Sequence, residues 1–164
     1  MLLLPPASAA AAPVLPANRR YADSTENDMS TPPLVEAFYA KIWNAGLVDS
    51  ATELLTDSFV FRGSLGTDLL DRGEFLAYVQ TIRSALAEYH CEILACVTEG
   101  DRAFAQMHFS GRHVGVFRGF PPTGKPVHWL GAALFRFEGS AIAQLWVLGD
   151  LLGVEALLKA NQAA

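Results

Sequence analysis

The sequence predicts an α+β fold in which helices pack on one face of a strongly curved, mostly antiparallel sheet. Apolar residues recur at helical spacing up to about residue 88, whereas alternation with a period of two dominates from 91 to 148. The strands are long and are joined by tight turns, so we expect the sheet to coil. Helices over its concave face would then complete a cone-shaped barrel around one apolar pocket.

Composition limits the function classes. The chain has 164 residues, of which 51% are hydrophobic and 18% charged, enough for one domain with a real core. The net charge is −5 and no basic run extends beyond Arg19-Arg20, so we expect no nucleic-acid partner. No apolar run approaches the roughly 20 residues that span a bilayer, so we expect no membrane partner and a cytoplasmic location.

Residues 1–31 differ in composition from the remainder, and we interpret them as a flexible N-terminal extension of a domain that spans 32–164. The alternative is that residues 1–12 act as an export signal, since Ala7-Ser8-Ala9 resembles a cleavage site. Against it, the apolar core is three leucines followed by prolines. A natural start at Met29 is a further hypothesis.

The first helix is predicted to begin at a Thr31 cap with two prolines in its first turn, and to end at Gly46. A short second helix, capped by Asp49 or Ser50, runs to Leu54-Leu55, and a short strand covers 59–62. Asp71 with Glu74 three residues later indicates a capping box for a third helix that ends near residue 88.

Four strands then follow as a meander, predicted at 91–97, 102–117, 127–137 and 141–148, with a last helix from Asp150. Both faces of the strand 127–137 carry apolar residues, which indicates that both are covered. A second copy of the chain would cover the outer face, so we expect a homodimer through the sheet.

Cys91 and Cys96 are interpreted as buried thiols. Their odd spacing in one strand is expected to send them to opposite faces, which argues against a disulfide. They form neither a C-x-x-C pair nor a Cys/His ligand set, so we expect no metal, and no glycine-rich dinucleotide motif indicates a cofactor.

The centre of the chain resembles a known family. The motif G-x-H-x-G-x-F at Gly111–Phe117, the P-P-T-G-K turn at Pro121–Lys125, and the later Gly131, Trp146 and Asp150 are similar to those of the SnoaL-like polyketide cyclases, also called ester cyclases. That family belongs to the nuclear transport factor 2-like superfamily. The resemblance extends from about Leu34 to the C-terminus, and it implies the cone-shaped fold, a dimer and one apolar pocket.

The resemblance also implies chemistry, with one departure. Cyclases of the family use an Asp as general acid/base in the strand after the P-P-T-G-K turn. By alignment this position is Ala133, and no carboxylate lies between Val127 and Phe137. Cyclase chemistry by that route is therefore in doubt, and whether the chain is an enzyme stays open.

His113 is the leading catalytic candidate, because an imidazole near the mouth of an apolar cone could act as general base. The alternative is that it orders the Gly/Pro turn. Asp150 could orient His113 as its partner, or it could simply cap the last helix.

Five aromatic residues are candidates for substrate binding. Trp146 is expected in the pocket wall with its indole N–H available to a carbonyl oxygen, and Tyr39 and Trp43, one helical turn apart, could face the cavity as donors. Phe117 and Trp129 complete the set. Each could instead be an ordinary core residue.

The leading functional hypothesis is a pocket protein that acts on a small, apolar, carbonyl-bearing molecule, polyketide- or terpenoid-like, as a cofactor-free cyclase, isomerase or lyase. A non-catalytic small-molecule-binding domain is the alternative. Epoxide hydrolysis ranks below both, because Arg62 and Asp150 are its only plausible contributors.

Overall fold

The computed structural model describes residues 30–64 and 68–163. The predictions of an export signal and of a start at Met29, and most of the predicted N-terminal extension, fall on residues outside the described part. Within it, helices pack on one face of a curved, mostly antiparallel sheet, which confirms the predicted α+β fold class. The sheet curves without closing on itself. None of the described helices is long and apolar enough to cross a membrane.

The elements follow the predicted order. The helices are α1 (Pro33–Ala37), which continues directly as a π-helix (Phe38–Asn44), α2 (Ala51–Leu54), which follows a 3₁₀ turn (Val48–Ser50), α3 (Arg72–Ala85) and α4 (Leu151–Ala163). The strands are β1 (Leu55–Arg62), β2 (Leu86–Glu99), β3 (Arg102–His113), β4 (Pro126–Glu138) and β5 (Ala141–Gly149).

The sheet has the strand order β1-β5-β4-β3-β2. Strands β2 to β5 form the predicted antiparallel meander. Strand β1 pairs in parallel with β5, an arrangement that the sequence did not indicate. Along the chain, α3 and three strands separate β1 from β5. Their pairing is therefore a long-range contact, which leaves no local signal in the sequence.

The first helix differs from the prediction at its start. Pro32, not Thr31, occupies the N-cap position, and no side chain caps the helix. At the other end, the guanidinium of Arg83 donates to the carbonyl oxygens of Trp43 and Asn44, which satisfies acceptors that the helix leaves unpaired. Gly46 then turns the chain with a φ of +72°, as the helix-ending glycine requires.

Asn44 connects this helix to the sheet. Its amide nitrogen donates to the Cys91 carbonyl oxygen at 3.0 Å, and its amide oxygen accepts from the Cys91 N–H at 2.7 Å. Strand β2 lies at the edge of the sheet, so its free backbone groups at this point are paired by a side chain. The pair of bonds fixes the height of the helix over the sheet.

The capping box of α3 is present as predicted. The Asp71 carboxylate accepts from the Glu74 N–H at 2.9 Å, and the Glu74 carboxylate accepts from the Asp71 N–H at 3.0 Å. The helix ends at Ala85, earlier than predicted, because Leu86 already belongs to β2.

The two cysteines do not lie on opposite faces, so that prediction is wrong. Both are buried and both are free thiols. The register between β2 and β3 shifts between Ile93 and Ala95, and this bulge places Leu94 and Ala95 both outward. The extra residue returns Cys96 to the inner face, beside Cys91.

Strand β3 stops at His113, four residues before the predicted end. The N–H groups of Val114 and Gly115 turn away and donate to the Ala85 carbonyl oxygen at 2.9 and 3.0 Å. A Cβ atom on Gly115 would lie 2.9 Å from the Ala85 Cα, so this close approach requires glycine. The segment 114–125 therefore forms a loop against the end of α3.

Apolar side chains remain exposed on the outer face of the sheet. Leu94, Val97, Phe104, Leu130 and Leu148 are each between 43% and 52% exposed. The inner face, by contrast, is covered by the helices and includes fully buried residues such as Ala133 and Phe135. Both faces of the sheet carry apolar side chains, but the helices of this chain cover only the inner face.

We expect Asp71→Ala to lower the free energy of unfolding by about 1 kcal/mol, because it removes the cap of α3. Chemical denaturation followed by circular dichroism measures the change. The control is Glu53→Ala, which breaks only the exposed Lys41–Glu53 ion pair and should cost no more than about 0.5 kcal/mol. Equal losses in both variants would contradict a special role for the capping box.

Candidate functional site

A cavity of about 440 Å³ lies between the inner face of the sheet and the helices. Its size falls in the usual range for small-molecule sites. Rings dominate the lining, which includes Tyr39, Trp43, Phe61, Tyr78, Tyr89, Phe109, Phe117 and Trp129. Such a surface suits a flat, mostly apolar ligand.

Tyr39 supplies the most unusual polar group of this cavity. Its side chain lines the cavity and is only 3% exposed, and its hydroxyl has no hydrogen-bond partner among the described residues. Burial raises the pKa of Tyr39 well above its ordinary value, and the Cys91 and Cys96 thiols raise it further. The phenol therefore keeps its proton and remains a hydrogen-bond donor.

The π-helix determines which side chains the first helix presents. Its backbone closes with wider turns than an α-helix, as in the bond from the Ala45 N–H to the Ala40 carbonyl oxygen at 2.9 Å. Short π segments of this kind occur frequently at functional sites. Tyr39 and Trp43, four residues apart, both reach the cavity, as the helical spacing predicted.

Trp129 and Phe117 form a ring stack with Phe109 on the sheet side. The centroid of Trp129 lies 5.4 Å from that of Phe109 and 5.8 Å from that of Phe117. Gly131 makes room for this stack, because a Cβ atom there would lie 2.6 Å from the Phe109 ring. Phe117 and Trp129 both line the cavity.

Two charged side chains are among the described residues that line the cavity. Asp68, which is exposed, is the only carboxylate among the described residues that line the cavity. Arg118 also lines it and forms an ion pair with Glu155 of α4, with Arg118 Nε donating to Glu155 Oε1 at 3.2 Å. This hydrogen bond and the charge of Arg118 lower the pKa of Glu155. The ion pair ties the loop 114–125 to α4.

His113 is fully buried and does not line the cavity. Phe117 packs against its ring, with a centroid separation of 6.3 Å, and Phe117 itself faces the cavity. His113 Nδ1 lies 3.3 Å from the Thr123 hydroxyl, whereas Nε2 has no partner among the described residues. Its backbone bonds the turn as well, since the His113 N–H donates to Lys125 and its carbonyl accepts from Gly124.

Asp150 does not pair with His113. The Asp150 carboxylate accepts from the Gly153 N–H at 2.8 Å at the start of α4, and the side chain is exposed. The contact of His113 Nδ1 is with Thr123, so its ring has no carboxylate partner in the described chain. The predicted pair of His113 and Asp150 is therefore absent from the described structure, because the Asp150 carboxylate bonds the first turn of α4 instead.

Trp146 lies on the outer face of the sheet rather than in the cavity wall. Arg62 stacks over its ring at 6.0 Å, and both line a separate concavity on that face. A register shift between Arg136 and Phe137, opposite the start of β5, places Ile142 and Ala143 both inward. Trp146 therefore points away from Ile142. Arg62 likewise cannot serve the cavity in epoxide hydrolysis.

Ala133 is fully buried in the inner face, between Ala105 on one neighbouring strand and Val147 on the other. It does not line the cavity. The acid/base Asp that the resemblance implies at position 133 would point inward here, where this chain has a methyl group. The described residues also contain no cluster of three or more His, Cys, Asp or Glu side chains that could hold a metal ion.

Several cavity residues were not identified from the sequence. Asp68 and Arg118 lie in connections whose path periodicity does not predict, and Tyr89 falls just before the strand as it was predicted. Ser64 also lines the cavity, and its hydroxyl accepts from the Gly149 N–H at 2.8 Å. The irregular loops thus supply both charged side chains of the described lining, Asp68 and Arg118, together with Ser64.

The motif around His113 now has independent support. A family profile described as SnoaL-like polyketide cyclase matches residues 34–158, most of the chain. The chain belongs to this family. The resemblance seen in the sequence is thereby confirmed, whereas no curated protein matches the chain.

Solved structures agree with this membership at the level of the fold. TsrD from Streptomyces laurentii is 29% identical, with a TM-score of 0.68 over 77% of this chain and 92% of that one. A proposed polyketide cyclase from Acidithiobacillus ferrooxidans is 24% identical, with a TM-score of 0.71 over 80% and 94%. IdmH from Streptomyces antibioticus is 22% identical, with a TM-score of 0.69 over 77% and 96%.

His113 could be a general base or a residue that orders the Gly/Pro turn, and these two roles predict different properties for the His113→Ala variant. If His113 holds the turn, His113→Ala should lower the free energy of unfolding by about 2–4 kcal/mol, since it empties a buried site and frees the Thr123 hydroxyl. Thr123→Val, which removes only the hydrogen bond, should cost about 1 kcal/mol. Urea denaturation measures both. A stable His113→Ala variant that has lost only turnover would instead identify a catalytic base.

Proposed function

We propose that this chain binds a small, mostly apolar, carbonyl-bearing molecule, polyketide- or terpenoid-like, and acts on it by cofactor-free acid–base chemistry as a cyclase or isomerase. Family membership supports the class of reaction. The observation that carries the proposal is the buried Tyr39 hydroxyl, which has no partner in the described chain and lies in an aromatic cavity.

An unpaired hydroxyl in such a cavity costs about 1–3 kcal/mol. A ligand carbonyl oxygen removes that cost, because it accepts a hydrogen bond from the Tyr39 hydroxyl, which has no acceptor among the described residues. The bond strengthens when a proton leaves the carbon next to the carbonyl, since negative charge then develops on the oxygen. The raised pKa of Tyr39 keeps the donor protonated throughout.

The reaction also needs a proton acceptor within reach of the ligand. Asp68 is the one carboxylate among the described residues of the cavity lining, and an enolising substrate that reaches it could lose its proton there. His113 would need to act past Phe117. We therefore favour Asp68 as the base and His113 as the residue that positions the loop 114–125.

A non-catalytic binding function is the second candidate. The alanine at position 133, where the resemblance implies an acid/base Asp, favours it. A thermal-shift screen of aromatic ketones followed by product analysis of each hit separates the two candidates. Ligands that bind and return unchanged would support the binding function alone.

We also propose that two copies associate through the outer face of the sheet. The exposed row of Leu94, Val97, Phe104, Leu130 and Leu148 supports this, because large exposed apolar patches mark interaction surfaces. A twofold partner presents the same apolar row to it, so each copy covers the other.

We expect Tyr39→Phe to weaken binding of 2-acetonaphthone about tenfold, because the variant lacks the donor to the carbonyl oxygen. The free protein should be as stable as the original or more so, because the unpaired hydroxyl is gone. Isothermal titration calorimetry and denaturation measure the two effects. The control ligand is 2-ethylnaphthalene, which has no carbonyl and should bind both proteins equally. Equal loss of both ligands would contradict the hydrogen bond.

For the dimer, light scattering after size exclusion should give a mass of two chains. Leu130→Lys places a charge in the proposed interface and should give one chain, because a buried unpaired charge is costly. Leu47→Lys is the control, since Leu47 is 55% exposed and lies outside the sheet. A single-chain mass for the unmodified protein at high concentration would refute the dimer.

A further inference from the structure

A second concavity, of about 280 Å³, lies on the outer face of the sheet, across the sheet from the central cavity. We call it the outer arginine pocket. Its lining includes three arginines, Arg62, Arg102 and Arg136, together with Trp146, Gln144 and Leu134. None of the described residues that line it is acidic. The chain as a whole carries a charge of −5, so a purely cationic pocket stands apart from its surroundings.

The strand register brings these charges together. Arg102 of β3 lies directly opposite Arg136 of β4, and Arg136 lies opposite Gln144 of β5. Arg62 of β1 lies opposite Trp146. Like charges directly opposite one another in a sheet are unfavourable, so the Arg102–Arg136 pair costs stability unless an anion joins it.

Internal ion pairs compensate the charges of Arg102 and Arg136 poorly. Arg102 has one carboxylate neighbour, Asp101, at 3.8 Å, and both side chains are about 60% exposed, at 62% and 61%. Arg136 is partly buried, and it makes no hydrogen bond or ion pair with any residue that the structure describes. The lining thus offers guanidinium donors at two adjacent positions.

The remaining wall is suited to an apolar group. The Trp146 ring lies under Arg62, with the guanidinium carbon 6.0 Å from the ring centroid, and Leu134 lies opposite Trp146 across the strand pair. A cation over an indole face holds that face in a defined orientation. The pocket therefore combines a cationic end with an aromatic and aliphatic side.

We propose that the outer arginine pocket binds a small organic carboxylate with a flat apolar body. Arg102 and Arg136 hold the carboxylate, because the planar guanidinium matches carboxylate geometry with two parallel hydrogen bonds. Trp146 and Leu134 contact the body of the ligand. The volume suits a molecule of one or two rings. This inference uses no residue of the central cavity and does not depend on the reaction proposed above. The pocket shares the outer face with the proposed dimer contact, since its Leu134 lies opposite Phe104, so the carboxylate and a second copy compete for this face.

The test is a titration of the full chain with 2-naphthoate, followed by nuclear magnetic resonance of the arginine Nε–H and tryptophan indole N–H signals. We expect shifts at Trp146, Arg102 and Arg136, and calorimetry should show weaker binding at higher salt. Arg136→Gln should weaken binding about tenfold, because it removes a charged hydrogen-bonding partner. Neutral 2-naphthamide should not shift these signals.

The matched control is Arg112→Gln. Arg112 lies on the same outer face near the other end of β3, where it pairs with Glu88, so naphthoate binding should be unchanged. Shifts confined to Trp43 and Trp129 would place the ligand in the central cavity and overturn the proposal. So would equal affinity of the Arg136→Gln variant and the original. A change in oligomeric mass in Arg136→Gln, without naphthoate binding in the original, would assign the pocket to a second copy instead.

Discussion

Aromatic packing between the first helices and the inner face of one sheet is the constraint on which this structure depends. Rings from α3, the π-helix and the strands pack against one another: Phe38 meets Phe135 edge to face with centroids 5.7 Å apart, and Phe75 lies tilted against Phe61 at 4.9 Å. Rigid rings on a curved surface fill part of the space under the helices and leave the cavity in the remainder. The core and the cavity are thus two parts of one packing arrangement.

The same arrangement explains where polar groups are found. Within the described chain, the buried side-chain atoms without a partner are the Tyr39 hydroxyl and His113 Nε2. One faces the cavity and the other lies behind its wall. Native proteins rarely leave such atoms unpaired without a reason, and a binding site is a common one. The two atoms differ in their surroundings: the Tyr39 hydroxyl belongs to the cavity lining, whereas His113 contacts Thr123 and Phe117 of the loop 114–125.

Much of the fold could be predicted from the sequence, because element type follows from apolar period and the capping box of Asp71 and Glu74 is a local signal. Helical spacing indicated that Tyr39 and Trp43 share one face of the first helix, but it left open whether that face meets a cavity or the core. What failed was the assignment of residues to faces. Two register shifts, near Ile93 and near Arg136, reverse the alternation of inward and outward side chains along the strands. As a result, Cys96 and Trp146 lie on faces other than the predicted ones. A bulge depends on neighbouring strands, so single-strand alternation cannot locate it. The loops that bring Asp68 and Arg118 to the cavity carry no periodic signal either.

The bond pair between Asn44 and Cys91 has a consequence for how copies of this chain can meet. An uncovered edge strand invites another strand to add to the sheet, which leads to chains of molecules without a defined end. Asn44 occupies the edge of β2 with a side chain that cannot extend the ladder further. Addition of a foreign strand at this point would first have to displace the helix. The helix therefore protects this part of the edge strand from open-ended growth of the sheet.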